Sequence, residues 1–148
     1  MIQVKCAVLA LAHIARMSER SRERPAWALI AGPVALVFGA LTVFSGGRVL
    51  FGPEAARLAA GNYVPFVLWF NFLAGFAYVA AGVGLSLWRR WAARLALALA
   101  IATAVVFAAF GVHVALGGAF EPRTVAAMTL RTAFWVAIAA LALRAQSR

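Results

Sequence analysis

Apolar residues fall into four long stretches along this chain, each separated from the next by a short cluster of glycine, proline and charged residues. The first runs from Trp27 to Phe44 without a charge, and Gly46-Gly47 followed by Arg48 reads as its stop. The second covers Val64 to Trp88 and halts at Arg89-Arg90, and the third begins at Trp91 or Ala92 and continues to about Leu116, before Gly117-Gly118. The fourth covers Thr124 to Leu143 and closes at Arg144. All four approach or exceed the roughly 20 residues a helix needs to cross a hydrocarbon core of about 30 Å. The pattern therefore predicts an all-α membrane protein, a four-transmembrane-helix bundle with spans at about 27–45, 64–88, 92–117 and 124–143. Residues 1–26 and 144–148 are then tails.

The connection between the first two spans has its own punctuation. Pro53 stands at the first position of an eight-residue helical stretch and Gly61 just past its end, which predicts a short interfacial helix over Pro53 to Ala60. Glu54 and Arg57 form either a solvated i,i+3 pair on that helix or, with Glu121 and Arg123, the rim or lid of a pocket.

Composition agrees with this pattern. At 66% hydrophobic residues and a mean hydropathy of +0.93, the chain lies far from soluble domains, which average about 45–50% apolar. Its 148 residues leave room for one compact unit. The cations are divided unevenly: Lys5, Arg16, Arg20, Arg22, Arg24, Arg89, Arg90, Arg94, Arg144 and Arg148 flank one face, and Arg48, Arg57 and Arg123 the other. Positively charged loops remain on the cytoplasmic side, so both termini are expected in the cytoplasm of a multi-pass plasma (inner) membrane protein. The net charge of +10 does not point to nucleic acid, because these arginines bracket apolar spans rather than form a run interleaved with exposed aromatics.

Met17 and the polar run after it read as a natural initiator, which would make residues 1–16 an extension. A signal peptide is the rival reading, although the apolar run Cys6 to Ala12 is short and the small-residue cleavage site poor. Cys6 is the only cysteine, which excludes an intramolecular disulfide and any Cys-rich metal cluster.

Candidate chemistry rests on three polar residues that lipid tolerates poorly. Asn71, His113 and Arg131 each lie near the outer end of a span, roughly 6–11 Å below its boundary at 1.5 Å of rise per residue. An Arg near a helix centre costs about 2.5–3.5 kcal/mol on insertion scales, so such residues face the bundle interior and find partners. The helical faces agree: Asn71 aligns with Gly75, Tyr78 and Gly82, and the first span aligns Gly32, Ala35, Gly39, Thr42 and Gly46. In the third span His113 aligns with Phe110, Val106 and Thr103, and in the fourth Arg131 aligns with Thr124, Met128, Trp135 and Ile138. Asn71, Tyr78, His113 and Arg131 are therefore the expected lining of a polar pocket near the outer mouth, with the first, third and fourth in mutual contact.

Each has a plainer reading. Arg131 can snorkel to the interface or pair with Glu121 or Glu54, and its sharper role is to anchor an anion or a polar headgroup with a five-donor guanidinium. His113 can be a satisfied buried histidine, and Asn71 can join helices by hydrogen bonding. A metal centre is not expected: His113 is the only histidine in the spans, and Met128 and Glu121 lack paired ligand spacing. Two-histidine haem ligation within one subunit is excluded by the same count. Hydrolytic catalysis is poorly equipped, since the chain has no Asp, and Ser45 and Ser86 stand near span ends without a base.

The stretch from Asn71 through the spaced Gly75, Gly82 and Gly84-Leu85 to the basic turn Arg89-Arg90 and Ala93 resembles the second-span signature of DoxX-like membrane proteins. The resemblance covers residues 71–93, and the chain's size and four-span layout match as well. It departs where the family often has Glu in place of Asn71, and the first span lacks the family's basic residue and glycine-lysine ending. The resemblance implies a membrane subunit of a sulfur- or thiol-linked, quinone-coupled redox complex, with a membrane protein partner. The expected function is thus an accessory subunit, not an enzyme on its own, with a quinone headgroup as the implied cofactor. The alternative is a small oligomeric transporter or channel for an anionic or protonatable solute.

Overall fold

The computed structural model describes residues 25–146, which form five α-helices. These are α1 (Ala26–Phe51), α2 (Glu54–Ala60), α3 (Pro65–Ser86), α4 (Arg90–Ala115) and α5 (Pro122–Gln146). All except α2 are long and apolar enough to cross a membrane. Only 28% to 33% of the apolar window of each long helix is buried within the protein, so most of the hydrocarbon surface faces outward, an arrangement that suits lipid as solvent. The chain is thus a multi-pass helical membrane protein, as the spacing of apolar runs predicts.

Helix boundaries differ from expectation in several places, most at the end of α1. Helix α1 does not stop at Gly46-Gly47 but continues to Phe51. These glycines are packing positions instead of breakers: Gly46 is buried, and a Cβ there would lie 3.2 Å from Cβ of Phe72 on α3. The stop comes at Gly52 and Pro53, where Gly52 N–H returns to Arg48 O at 3.0 Å. Helix α5 also starts earlier than expected, with Pro122 at its first position, where the missing N–H has no intrahelical partner to lose.

Two turns of one design join the other long helices. At the end of α4, Gly117 takes φ +82°, Gly118 N–H bonds to His113 O and Gly117 N–H to Val114 O, both at 3.0 Å, which is a Schellman closure. After α3 the same pair of bonds runs from Arg89 N–H to Gly84 O and from Trp88 N–H to Leu85 O. Here the left-handed position is occupied by Trp88 at φ 53°, at a steric penalty of roughly 1–2 kcal/mol. The Trp88 ring packs edge-on against Trp27 of α1, 5.6 Å between centroids.

The closest packing is between α1 and α3. Gly32, Gly39 and Gly46 on α1 recur every seven residues, as do Gly75 and Gly82 on α3, and both rows are buried. A Cβ on Gly39 would lie 2.8 Å from Val79 N and 2.9 Å from Gly75 O, and one on Gly82 would lie 2.7 Å from Leu36 N. The two backbones touch, and only glycine permits it. Helix α3 then packs on α4 and α4 on α5, around a core that includes Tyr78, Leu99 and Trp135. Between α1 and α5 the ring is closed mainly by long side chains, with Phe38 and Phe134 at 5.5 Å between ring centroids.

Candidate functional site

That loosely closed seam widens toward the C-terminal end of α1 into an open cleft of about 560 Å³. One wall is α1, with Thr42, Ser45, Gly46 and Arg48; the other is the start of α5, with Arg123, Thr124, Ala127 and Arg131. Leu68 and Asn71 of α3 lie between them, and Ala56, Ala59 and Ala60 of α2 cover the end. Small residues on both walls, Gly46 and Ala127 facing the same space, leave the room that larger side chains would fill.

Arg131 is half-buried in this cleft. One guanidinium nitrogen donates to Thr42 Oγ1 at 3.4 Å, and the guanidinium carbon sits 5.6 Å from the centre of the Phe38 ring. Its Nε is buried without a hydrogen-bond partner. Asn71 is buried, its Nδ2 donates to the Met128 thioether at 3.7 Å, and its Oδ1 likewise has no partner. Thioether sulfur accepts only weakly, so most of the hydrogen-bonding capacity of this amide is unspent. Both unsatisfied atoms are enclosed by protein, so they lie within the wall of the cleft and not at its surface.

The expected trio divides. Asn71 and Arg131 line the cleft, whereas His113 does not. It sits in the last turn of α4 against the α4–α5 connection, where Nε2–H donates to Ala119 O at 3.2 Å and the ring meets Phe66 edge-on at 6.3 Å. The reason is depth: His113 lies in the last turn of α4, about two residues and some 3 Å from its end, whereas Arg131 stands about nine residues, some 13 Å, into α5. Tyr78 is also outside the cleft, fully buried between Phe38, 5.8 Å away and stacked, and Trp135 at 4.9 Å. Its hydroxyl, Thr103 Oγ1 and Trp135 Nε1 are neighbours in the core, with none of them at hydrogen-bond geometry.

The rim residues also separate. Arg123 lines the cleft and donates to Ala59 O at 2.7 Å, satisfying a carbonyl in the last turn of α2. Glu121 accepts from Asn62 N–H at 2.9 Å and so fixes the turn after α2, where Gly61 takes φ 67°. Glu54 and Arg57 are exposed on α2 and do not line the cleft. Thr42, Ser45, Arg48 and Tyr63 line it without having been singled out as pocket residues. Thr42 was visible as a member of the small-residue stripe of the first span, and the turn residue Tyr63 gave no periodic signal.

No family model, curated protein or solved structure matches the chain.

Proposed function

We propose that this chain is an accessory subunit of a larger membrane complex, holding the oxygen-rich head of a lipid-soluble ligand in the cleft between α1 and α5. The carrying observation is Arg131, a half-buried guanidinium that lines the cleft some 13 Å along α5 and whose polar contact among the described residues is one hydroxyl at 3.4 Å. A cation at that depth is costly without partners, and a ligand head that accepts from its guanidinium would lower the cost. A quinone head, which the DoxX-like resemblance of residues 71–93 implies, offers carbonyl oxygens to the guanidinium. In this reading the membrane is the plasma (inner) membrane, both termini are cytoplasmic by the distribution of Lys and Arg, and α2 lies at the outer interface over the cleft. The lipid-facing sides of the helices are then open to a membrane protein partner or to further copies of the chain.

A second reading, a small oligomeric transporter for an anionic or protonatable solute, draws on Arg48, Arg123 and Arg131 lining the cleft with no carboxylate among the lining residues. Affinity purification from native membranes in mild detergent separates the two. The subunit reading expects a co-purifying membrane partner and no solute flux through the chain reconstituted alone. Flux in proteoliposomes that is lost in Arg131→Ala, with no partner recovered, would overturn it.

A further inference from the structure

Charge and access narrow the ligand class of this cleft. We infer that it takes an anionic, phosphate-bearing lipid from the bilayer, with the head against Arg131 and an acyl chain leaving sideways between α1 and α5. This rests on the reading of the cleft as a ligand site.

The charge argument begins with what surrounds Arg131. The cleft is lined by three guanidinium groups and no carboxylate. Glu121, the nearer acid in sequence, is turned to Asn62 N–H, and Glu54 is exposed on α2. Among the described residues Arg131 makes no ion pair; its polar contact is one hydroxyl at 3.4 Å. A guanidinium some 13 Å along α5 is expensive in hydrocarbon unless an anion accompanies it. A phosphate accepts from its fork in two places and supplies the missing charge. A neutral quinone would leave that charge uncompensated.

Access points to a lipid instead of a dissolved ion. Phe44 and Ser45 line the cleft and are themselves exposed, Phe44 at 63%. They stand about seven residues, some 10 Å, from the last residue of α1, where exposure on a membrane helix is exposure to acyl chains. Leu41, 60% exposed, continues the same face one turn deeper. The opening is therefore polar within and apolar at its side, the shape of a headgroup with a chain.

The test uses the full chain in neutral detergent, with bound lipid counted by native mass spectrometry and Tm followed on adding phosphatidylglycerol, phosphatidylcholine, inorganic phosphate or decylubiquinone. Phosphatidylglycerol is expected to bind one per chain, about tenfold more tightly than phosphatidylcholine, and to raise Tm where phosphate and the quinone do not. Arg131→Gln should abolish that preference, and Arg94→Gln, at the opposite end of the bundle, should keep it. If Arg131→Gln does not fold, Ala127→Phe tests the same site by filling the cleft without altering charge, and should also lose the bound lipid. Equal binding of the two lipids, an equal effect of inorganic phosphate, or lipid preference surviving both cleft variants would overturn the inference. A Tm rise with decylubiquinone and no preference for the anionic lipid would overturn it while leaving the cleft a ligand site. A folded chain that responds to none of the four probes would sink both readings.

Discussion

Arg131 of α5 donates to the Thr42 hydroxyl of α1 at 3.4 Å, across the loosely packed seam between those two helices. The same hydroxyl donates to Phe38 O at 2.8 Å, one turn back, so it meets the guanidinium as an acceptor. Phe38 also places its ring beneath the guanidinium and against Phe134. A single turn of α1 thus supplies an acceptor, an aromatic face and an apolar closure to one cation.

Replacing Thr42 by valine keeps the shape and removes the acceptor. Thr42→Val should lower stability by about 1–2 kcal/mol, the low end for hydrogen bonds to charged groups because the contact is long. Reversible unfolding in mixed micelles measures this, with Thr42→Ser as the variant that retains the bond. A Thr42→Val protein as stable as the parent would mean that Arg131 gains nothing from this contact.

The α1–α3 interface predicts a sharp contrast between glycines. Gly39→Ala places a Cβ 2.8 Å from backbone nitrogen of Val79, and the helices must part, at about 1–3 kcal/mol. Gly111 on α4 has no atom within 4 Å of such a Cβ, so Gly111→Ala should be neutral or stabilising by up to about 1 kcal/mol. The same unfolding measurement ranks the pair, and equal losses would refute backbone contact as the cause.

Tyr78 carries a hydroxyl that accomplishes little where it lies. Since it has no hydrogen bond, Tyr78→Phe should leave stability within about 1 kcal/mol of the parent or raise it. Trp135→Ala, which empties a fully buried site against Tyr78 and Phe134, should cost about 3–5 kcal/mol. A large loss in Tyr78→Phe would show instead that its hydroxyl bonds to Thr103 or Trp135 in the membrane.

His113 separates turn from cleft. His113→Ala removes the bond to Ala119 O and should lower Tm modestly, with binding at the cleft unchanged in the lipid titration. Loss of ligand binding with an intact fold would return the imidazole to the site.

Orientation is open to labelling. With Cys6 replaced by serine, a cysteine at Ala119 should react with an impermeant maleimide in intact cells, and one at Arg89 only after permeabilisation. The reverse pattern would invert the proposed topology and put the cleft on the cytoplasmic side.

Apolar run length and punctuation in the amino-acid order are enough to establish four long helices and a short one after the first. Helical period also identifies inner faces: Gly32, Ala35, Gly39, Thr42 and Gly46 are buried residues of α1, and Met128, Trp135 and Ile138 are buried on α5. These properties are local, set by rise per residue and by the intolerance of lipid for unpaired polar groups. Helix neighbours are not local. In a chain that is apolar on every side, periodicity cannot say that α1 and α3 will touch through their backbones while α1 and α5 stay apart. That choice follows from how closely small residues let each pair approach, and it opens the cleft beside Arg131. It also extends α1 through Gly46-Gly47 and leaves His113 at the end of α4, away from the cleft, because a glycine seated against Phe72 is a packing surface and a histidine two residues from a helix end is part of its cap.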